Sequence, residues 1–330
     1  MYMRKKTLLP LIIIVCLLTG CTKTPQPISE TRFLLDTVCT ITVYRNKDAM
    51  ALSGALDLCG EYEALFSRTL EGSDIWRINH AGGEPVTVAP QTADVVRLAL
   101  ELGNYSGGMF DITIGRLCAL WDFNRNPAVP SEADLNAALK TVDYRQVIVA
   151  DNTVQLMNPE TWLDLGGVAK GYIADQAAAF LKERGVKGAV IDLGGNIVVV
   201  GEKPDGSAWR VGVRQPLEHS KEITGALTIG AASVVTSGVY ERQFIEDGVM
   251  YHHILDPVNG KPAITDVVSA TVVTENSAIG DVMSTILILA GSKKAPGLLE
   301  HVEGLYGAML MLDSGELVQY GNIDFDATGY

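Results

Sequence analysis

Residues 189–230, AVIDLGGNIVVVGEKPDGSAWRVGVRQPLEHSKEITGALTIG, decide the fold class. Four apolar, β-branched segments (189–192, 197–200, 209–213 and 222–229) follow one another there, with turn residues and no helical periodicity between them. A doubly wound sheet would alternate each strand with a helix. Here strands outnumber that alternation, so the expected class is α+β, with mainly antiparallel sheets flanked by helices.

On the N-terminal side, 33–44 alternates apolar and polar side chains and reads as one strand. Residues 48–66 carry Leu52, Ala55, Leu56, Leu58, Tyr62 and Leu65 at helical spacing. Helices are also expected over 92–105, stopped by Gly107-Gly108, over 131–140, where Ser131 and Asp134 are spaced as a capping pair, and over 168–183, ended by Gly185. A hairpin crosses Asp151-Asn152 between 147–149 and 154–157, and 162–165 is a further strand. Towards the C-terminus come strands 251–255 and 267–273, helices 278–289 and 294–301, and a closing hairpin over 308–319. No low-complexity linker or charge block divides residues 32–330, so they are expected to form one unit.

The first twenty residues read as an export address. Arg4, Lys5 and Lys6 precede an apolar run from Leu8 to Leu18, too short for the roughly 20 residues of a membrane span. Leu18-Thr19-Gly20-Cys21 reads as a lipobox, the signal for cleavage before Cys21 and lipidation of its thiol. Residues 21–31, with Pro25 and Pro27, are expected to be a flexible tether. It would hold the body at the outer face of the cytoplasmic membrane or the periplasmic side of an envelope membrane. The remaining cysteines, Cys39, Cys59 and Cys118, are odd in number and form no CxxC, which argues for small buried residues rather than a disulfide framework. The formal charge of −13 gives no basic footprint for nucleic acid, and lets the chain hold a phosphate ligand only with a cation or backbone dipoles in between.

Four segments carry side chains suited to chemistry. In Gly107-Gly108-Met109-Phe110-Asp111-Ile112-Thr113-Ile114-Gly115 a ring that can stack on a flat ligand follows a glycine pair. A helix cap and turn would account for the glycines but not for Asp111. Asp164-Leu165-Gly166-Gly167-Val168-Ala169-Lys170-Gly171 ends a strand on a carboxylate and opens a helix, a natural place for phosphate. A generic strand–helix turn reads as well, and the Walker A spacing is absent. Asp281 and Thr285, four apart on a helix, share one face, and their hard oxygens suit Mg²⁺ completed by a carbonyl, water and substrate phosphate. Solvent-facing polar residues are the plain alternative. Thr236 to Pro262, TSGVYERQFIEDGVMYHHILDPVNGKP, joins a small-residue turn to two histidines and an Asp-Pro corner. One imidazole there is placed for general-base work, or else the pair faces solvent on a hairpin. HExxH, a Cys/His cluster and GxSxG are all absent, so zinc-hydrolase and serine-esterase readings have no support.

Taken in order, GGMFDITIG with Leu117 and Trp121-Asp122-Phe123, DLGGVAKGYIAD, TSGVY, HHILDPVNGKP, and Asp281 with Thr285 make the chain resemble the FAD:protein FMN transferases of the ApbE type, many of which are exported lipoproteins. The resemblance runs from about Phe33 to the helix of Asp281. It implies an ApbE-like, two-lobed single catalytic unit that moves the FMN half of FAD onto a threonine hydroxyl of an acceptor protein and releases AMP. It also implies FAD contacts at Leu35, Met109, Phe110, Asp111, Asp164, Lys170 and Leu255. A Mg²⁺ site is implied at the Gly167 carbonyl, Asp281 and Thr285, and a general base at His253. With that base, activity is expected to rise with pH through a histidine-like pKa. His252 is expected to face the other side of its strand, and His80, His219 and His301 to lie at the surface.

Three positions depart from the family pattern. Leu35-Asp36-Thr37 stands where Met-Gly-Thr is usual. Ser67-Arg68-Thr69 stands where many members have an aromatic, so a stacking partner for adenine or flavin is missing or replaced. Gly280 stands for the usual alanine, at roughly 1 kcal/mol in helix propensity. Two other functions use the same residues: a Mg²⁺-dependent FAD pyrophosphatase, with water in place of threonine, and a flavin-binding lipoprotein without catalysis.

Overall fold

The computed structural model describes residues 26–216 and 222–327. The leader, the lipobox with Cys21, and His219 lie outside them. The first half contains β1 (Ile28–Leu34), β2 (Thr37–Val43), α1 (Ala49–Phe66), α2 (Asp74–Asn79), β3 (Val86–Thr87), α3 (Pro90–Tyr105), α4 (Gly115–Trp121), α5 (Glu132–Leu139), β4 (Val147–Ala150), β5 (Thr153–Leu156) and α6 (Ala169–Glu183). There follow β6 (Gly188–Leu193), β7 (Asn196–Gly201), β8 (Trp209–Arg214), β9 (Ile223–Ile229), β10 (Ser233–Gly238), β11 (Gln243–Glu246), β12 (Val249–His252), β13 (Val267–Thr274), α7 (Ser277–Ala290), α8 (Ala295–Leu299), β14 (Leu305–Leu312), β15 (Leu317–Gly321) and β16 (Asp324–Asp326).

The class is α+β. Eight strands form the main sheet in the order β1-β2-β6-β7-β10-β13-β14-β15, and each neighbouring pair is antiparallel. On one face lie α1, α6 and α7, whose Leu52, Leu56, Ile173, Ala177, Val282 and Ile286 share a core with Ile41, Ile191, Val200 and Val272. On the other, the small sheet β16-β9-β8 packs Trp209, Val211 and Leu227 against Val199, Val234 and Val273. Adjacent residues point to opposite faces of a strand, so Val272 and Val273 enter different cores. Central strands covered on both faces read as continuous apolar runs rather than alternations.

Several local expectations need correction. The single strand over 33–44 is two, paired from Ile28↔Val43 to Leu34↔Thr37 around Leu35 and Asp36, both left-handed at φ 57° and 55°. A two-residue hairpin turn demands that geometry at both positions, and neither residue advertises it. Pairing from Ile28 also shortens the tether, which had been expected to run to 31. Thr236-Ser237-Gly238 is no turn but the end of β10, in the middle of the sheet, where small side chains let α7 approach (Ser237 Oγ and Ser284 Oγ are 2.8 Å apart). Residues 162–165 make only a bridge, Ile114↔Trp162, and β12 stops at His252. By contrast, the Ser131 cap accepts from Asp134 N as its spacing implies. Cys39 and Cys59 are buried free thiols, and burial pushes them up to about 11 and about 12.

Helices α6 and α7 cross at Gly171, where an added Cβ would fall 2.3 Å from the Ser277 carbonyl oxygen. One turn on, Asp175 accepts from Ser277 N (2.8 Å) and Ala278 N (2.9 Å), so α6 caps the start of α7. This crossing sets the register that brings Asp281 to the start of α6. Gly171→Ala should therefore destabilise by roughly 3 kcal/mol, the upper end of ordinary overpacking. The measurement is a lowered urea midpoint at unchanged slope.

Candidate active site

A cavity of about 1010 Å³ opens among segments far apart in sequence. Leu35, Met109, Phe110, Asp111, Asp164, Gly167, Lys170, His253, Leu255, Asp281 and Thr285 all line it. In all, eight carboxylates and five cations line it, an acidic surplus that would repel a diphosphate unless a further cation enters.

The glycines act in two ways. Gly107 and Gly108, at φ +65° and +85°, turn the chain off α3. Gly166 and Gly167 are not left-handed; they are needed for their lack of a side chain. A Cβ on Gly167 would lie 2.9 Å from the Phe110 ring, and one on Gly166 would lie 2.9 Å from Asp164 Oδ1.

Asp281 is 2% exposed. Its Oδ2 accepts from Gly171 N at 3.0 Å, and its Oδ1 lies 3.5 Å from Lys170 Nζ. The same ammonium lies 3.5 Å from the Gly166 carbonyl, so positive charge is already held between hard oxygens. Thr285 Oγ1 donates to the Asp281 carbonyl at 3.3 Å, which leaves its lone pairs for a cation. A carboxylate, a hydroxyl and nearby carbonyls fit Mg²⁺ by ligand type. Among the described residues no cluster of three or more His, Cys, Asp or Glu could close around an ion, so phosphate and water would have to complete it.

His253 donates its backbone N–H to the Arg242 carbonyl at 3.0 Å. Its Nδ1 is buried with no hydrogen-bond partner among the described residues, which leaves Nε2 as the nitrogen for the cavity. Burial first, then the charges of Arg242, His252 and Lys170, push the imidazole down to about 3. A ring so held is neutral well below the ordinary histidine range, which moves the rising limb expected of this group towards lower pH. It also bears on stability. The unfolded chain takes up this proton first as pH falls, so His253 costs stability progressively from about pH 6.5 down towards 3. Replacing it with Asn should flatten the fall of Tm between pH 7 and pH 5. His252, off the cavity, is buried with Nε2 3.0 Å from the Ala263 carbonyl, while His80 and His301 are exposed.

Two carboxylates turn out to be committed. Asp111 accepts from Thr113 N and Oγ1 through Oδ1 and from Tyr144 N through Oδ2, so it shapes the wall more than it offers a free oxygen. Asp164 accepts from Arg68 Nε at 2.6 Å and from Gly166 N at 2.7 Å. Arg68, noted above only within a departure from the family pattern, also lines the cavity, as do Arg214, Glu241 and Arg242, to which the sequence assigned no role. Burial raises the Glu241 carboxyl, with Lys170, Arg214 and Arg242 pulling the other way. Arg242 follows TSGVY closely enough to have been suspected. Arg214 arrives from β8 and carried no signal.

A model described as the ApbE family matches residues 35–310. The chain is 35% identical over 281 residues to an FAD:protein FMN transferase of Klebsiella pneumoniae (strain 342), covering 84% of this chain and 87% of that one. It is 32% identical over 339 residues to an FAD:protein FMN transferase of Treponema pallidum (strain Nichols), with 94% and 93% covered. Among solved structures, the ApbE protein of Thermotoga maritima superposes with a TM-score of 0.81 at 30% identity, over 89% of this chain and 97% of that one. The flavin transferase ApbE of Vibrio cholerae gives 0.80 at 26% identity, over 89% and 96%.

Proposed function

The chain belongs to the ApbE family, and on that premise we propose that it is an FAD:protein FMN transferase that uses Mg²⁺ and a threonine hydroxyl as acceptor. The observation that carries the reading is the convergence of Asp281, Thr285, Lys170 and His253 on one cavity, from helices and a hairpin edge far apart in sequence. Asp281, Thr285 and a Gly166 or Gly167 carbonyl would hold Mg²⁺, which supplies charge neutralisation of the diphosphate when bound. Lys170 adds a fixed positive charge at the same point. His253 accepts the threonine proton as the threonine oxygen bonds to the FMN phosphorus. The bond from that phosphorus to the AMP oxygen breaks, and AMP leaves with the electron pair. A general base must be neutral, and burial together with the charges of Arg242 and Lys170 keeps the imidazole so.

The test is incubation of the purified protein with FAD, Mg²⁺ and a threonine-bearing acceptor, followed by mass spectrometry. A gain of one FMN on threonine, with one AMP released, is the expected result. AMP without any mass gain would make the protein a pyrophosphatase, and no AMP at all would leave only flavin binding. The lipobox reading adds export and anchoring through Cys21. Cys21→Ala should then release the protein from the membrane fraction, and retention would refute the anchor.

A further inference from the structure

Arg68 is a cavity residue whose chemistry the proposed reaction leaves unused. Its side chain is 21% exposed and that of Asp164 18%, and the two are joined through one bond, Arg68 Nε to Asp164 Oδ2 at 2.6 Å. Among the described residues neither Nη1 nor Nη2 has a protein partner. A guanidinium carries five N–H donors in a rigid plane. Four of them, on a largely desolvated cation at the wall of a large cavity, therefore await acceptors. The second Asp164 oxygen is occupied by Gly166 N at 2.7 Å, so both carboxylate oxygens are engaged while the guanidinium keeps donors for a ligand.

The charges around Arg68 say which kind of ligand. Its ionic neighbours are Asp164 and Asp122. Lys170 and Arg242 instead surround His253 and, with Arg214 and Asp281, Glu241. Phosphate is thus favoured beside Lys170 and disfavoured beside Arg68, where two carboxylates exceed one cation. The Cys118 thiol nearby is pushed well above its ordinary value by burial and stays neutral. Leu35, Met109 and Phe110 contribute apolar surface to the same cavity. We propose that Arg68, clamped by Asp164, recognises a flat, neutral heteroaromatic ring of the substrate, with Nη–H bonds to ring acceptors and its plane available for stacking. It takes the place of the aromatic residue missing at 67–69, and it reads acceptors on the ring where a free carboxylate would have read donors. The inference rests on FAD being the ligand of the cavity, and both adenine and isoalloxazine have the required chemistry.

Equilibrium binding of FAD, ADP and FMN to the full chain, Arg68→Ala and Arg68→Lys tests this and separates the two rings. Arg68→Ala should weaken FAD by about 10–100-fold, the range for charge-assisted hydrogen bonds, and weaken only one of ADP and FMN comparably, which names the ring. Arg68→Lys keeps the charge and the partner for Asp164 but loses the planar fork, so it should restore no more than a few-fold. Full affinity in Arg68→Lys would reduce Arg68 to a counter-ion and overturn the proposal. Equal losses for ADP and FMN would point to phosphate and overturn it as well. Unchanged binding of all three ligands by Arg68→Ala would do the same while leaving the FAD reading intact. Failure of the unaltered protein to bind FAD would instead remove the reading on which the proposal stands.

Discussion

Asp281→Asn is expected to slow AMP release from FAD by on the order of 10³-fold, about 4 kcal/mol of lost transition-state stabilisation. The amide keeps the shape and can still accept from Gly171 N, so the α6–α7 crossing and the thermal midpoint should survive nearly unchanged. What disappears is the buried negative charge 3.5 Å from Lys170. Without it, any divalent ion at this point keeps only neutral protein oxygens, and its affinity should fall steeply. The assay is initial-rate AMP release at saturating FAD across a Mg²⁺ titration. Partial recovery at high Mg²⁺ fits an ion-binding defect. A rate within tenfold of the parent over the whole titration would mean that the carboxylate does not act on the phosphates.

His253→Gln should reduce flavin transfer by roughly 10²–10⁴-fold while FAD affinity stays within a few-fold, since a general base contributes to the barrier and little to ground-state binding. The pH profiles carry a second readout. The imidazole of the free enzyme is held at about 3, so kcat/KM of the parent should be flat from pH 5 to pH 8 as far as this group is concerned. The kcat profile reports the complex, in which ligand and ion add their own charges, so a limb due to His253 that is absent from kcat/KM should appear there. A limb near pH 6.5 in kcat/KM that vanishes in His253→Gln would show the ring free of the cationic field. If His253→Gln transfers FMN at the parent rate, another group takes the proton, and Glu241, which lines the same cavity with its carboxyl raised, is the next to replace.

Much of this site was written locally. Asp281 and Thr285 are one helical turn apart, so their shared face follows from periodicity alone. The Ser131 cap, the Gly107-Gly108 break and the strands over 189–230 likewise depend on residues close in sequence. The failures are equally instructive. Leu35 and Asp36 adopt a turn geometry that such residues rarely take; pairing on both sides imposes it, and Leu35 N is fastened by Glu63 Oε1 at 2.9 Å from a different element. Thr236-Ser237-Gly238 looked like a turn because its side chains are small. They are small because α7 lies against that strand.

Charge behaved in the same way. That His253 sits among histidine, aspartate and proline is evident from the chain, whereas its depressed pKa comes from burial and from Arg242 and Lys170. The Arg68–Asp164 pair joins residues 96 positions apart, and only folding reveals that the aspartate is occupied by the arginine and by Gly166 N.

From the amino-acid order alone came the α+β class and the family resemblance, and through that resemblance the eleven described residues expected around one ligand. The class and the resemblance depend on periodicity and on short motifs, which act within a turn or a strand. Only the tertiary structure decided which of those groups remain available for chemistry. Availability depends on desolvation and on partners brought in across the fold, and neither propagates along the chain.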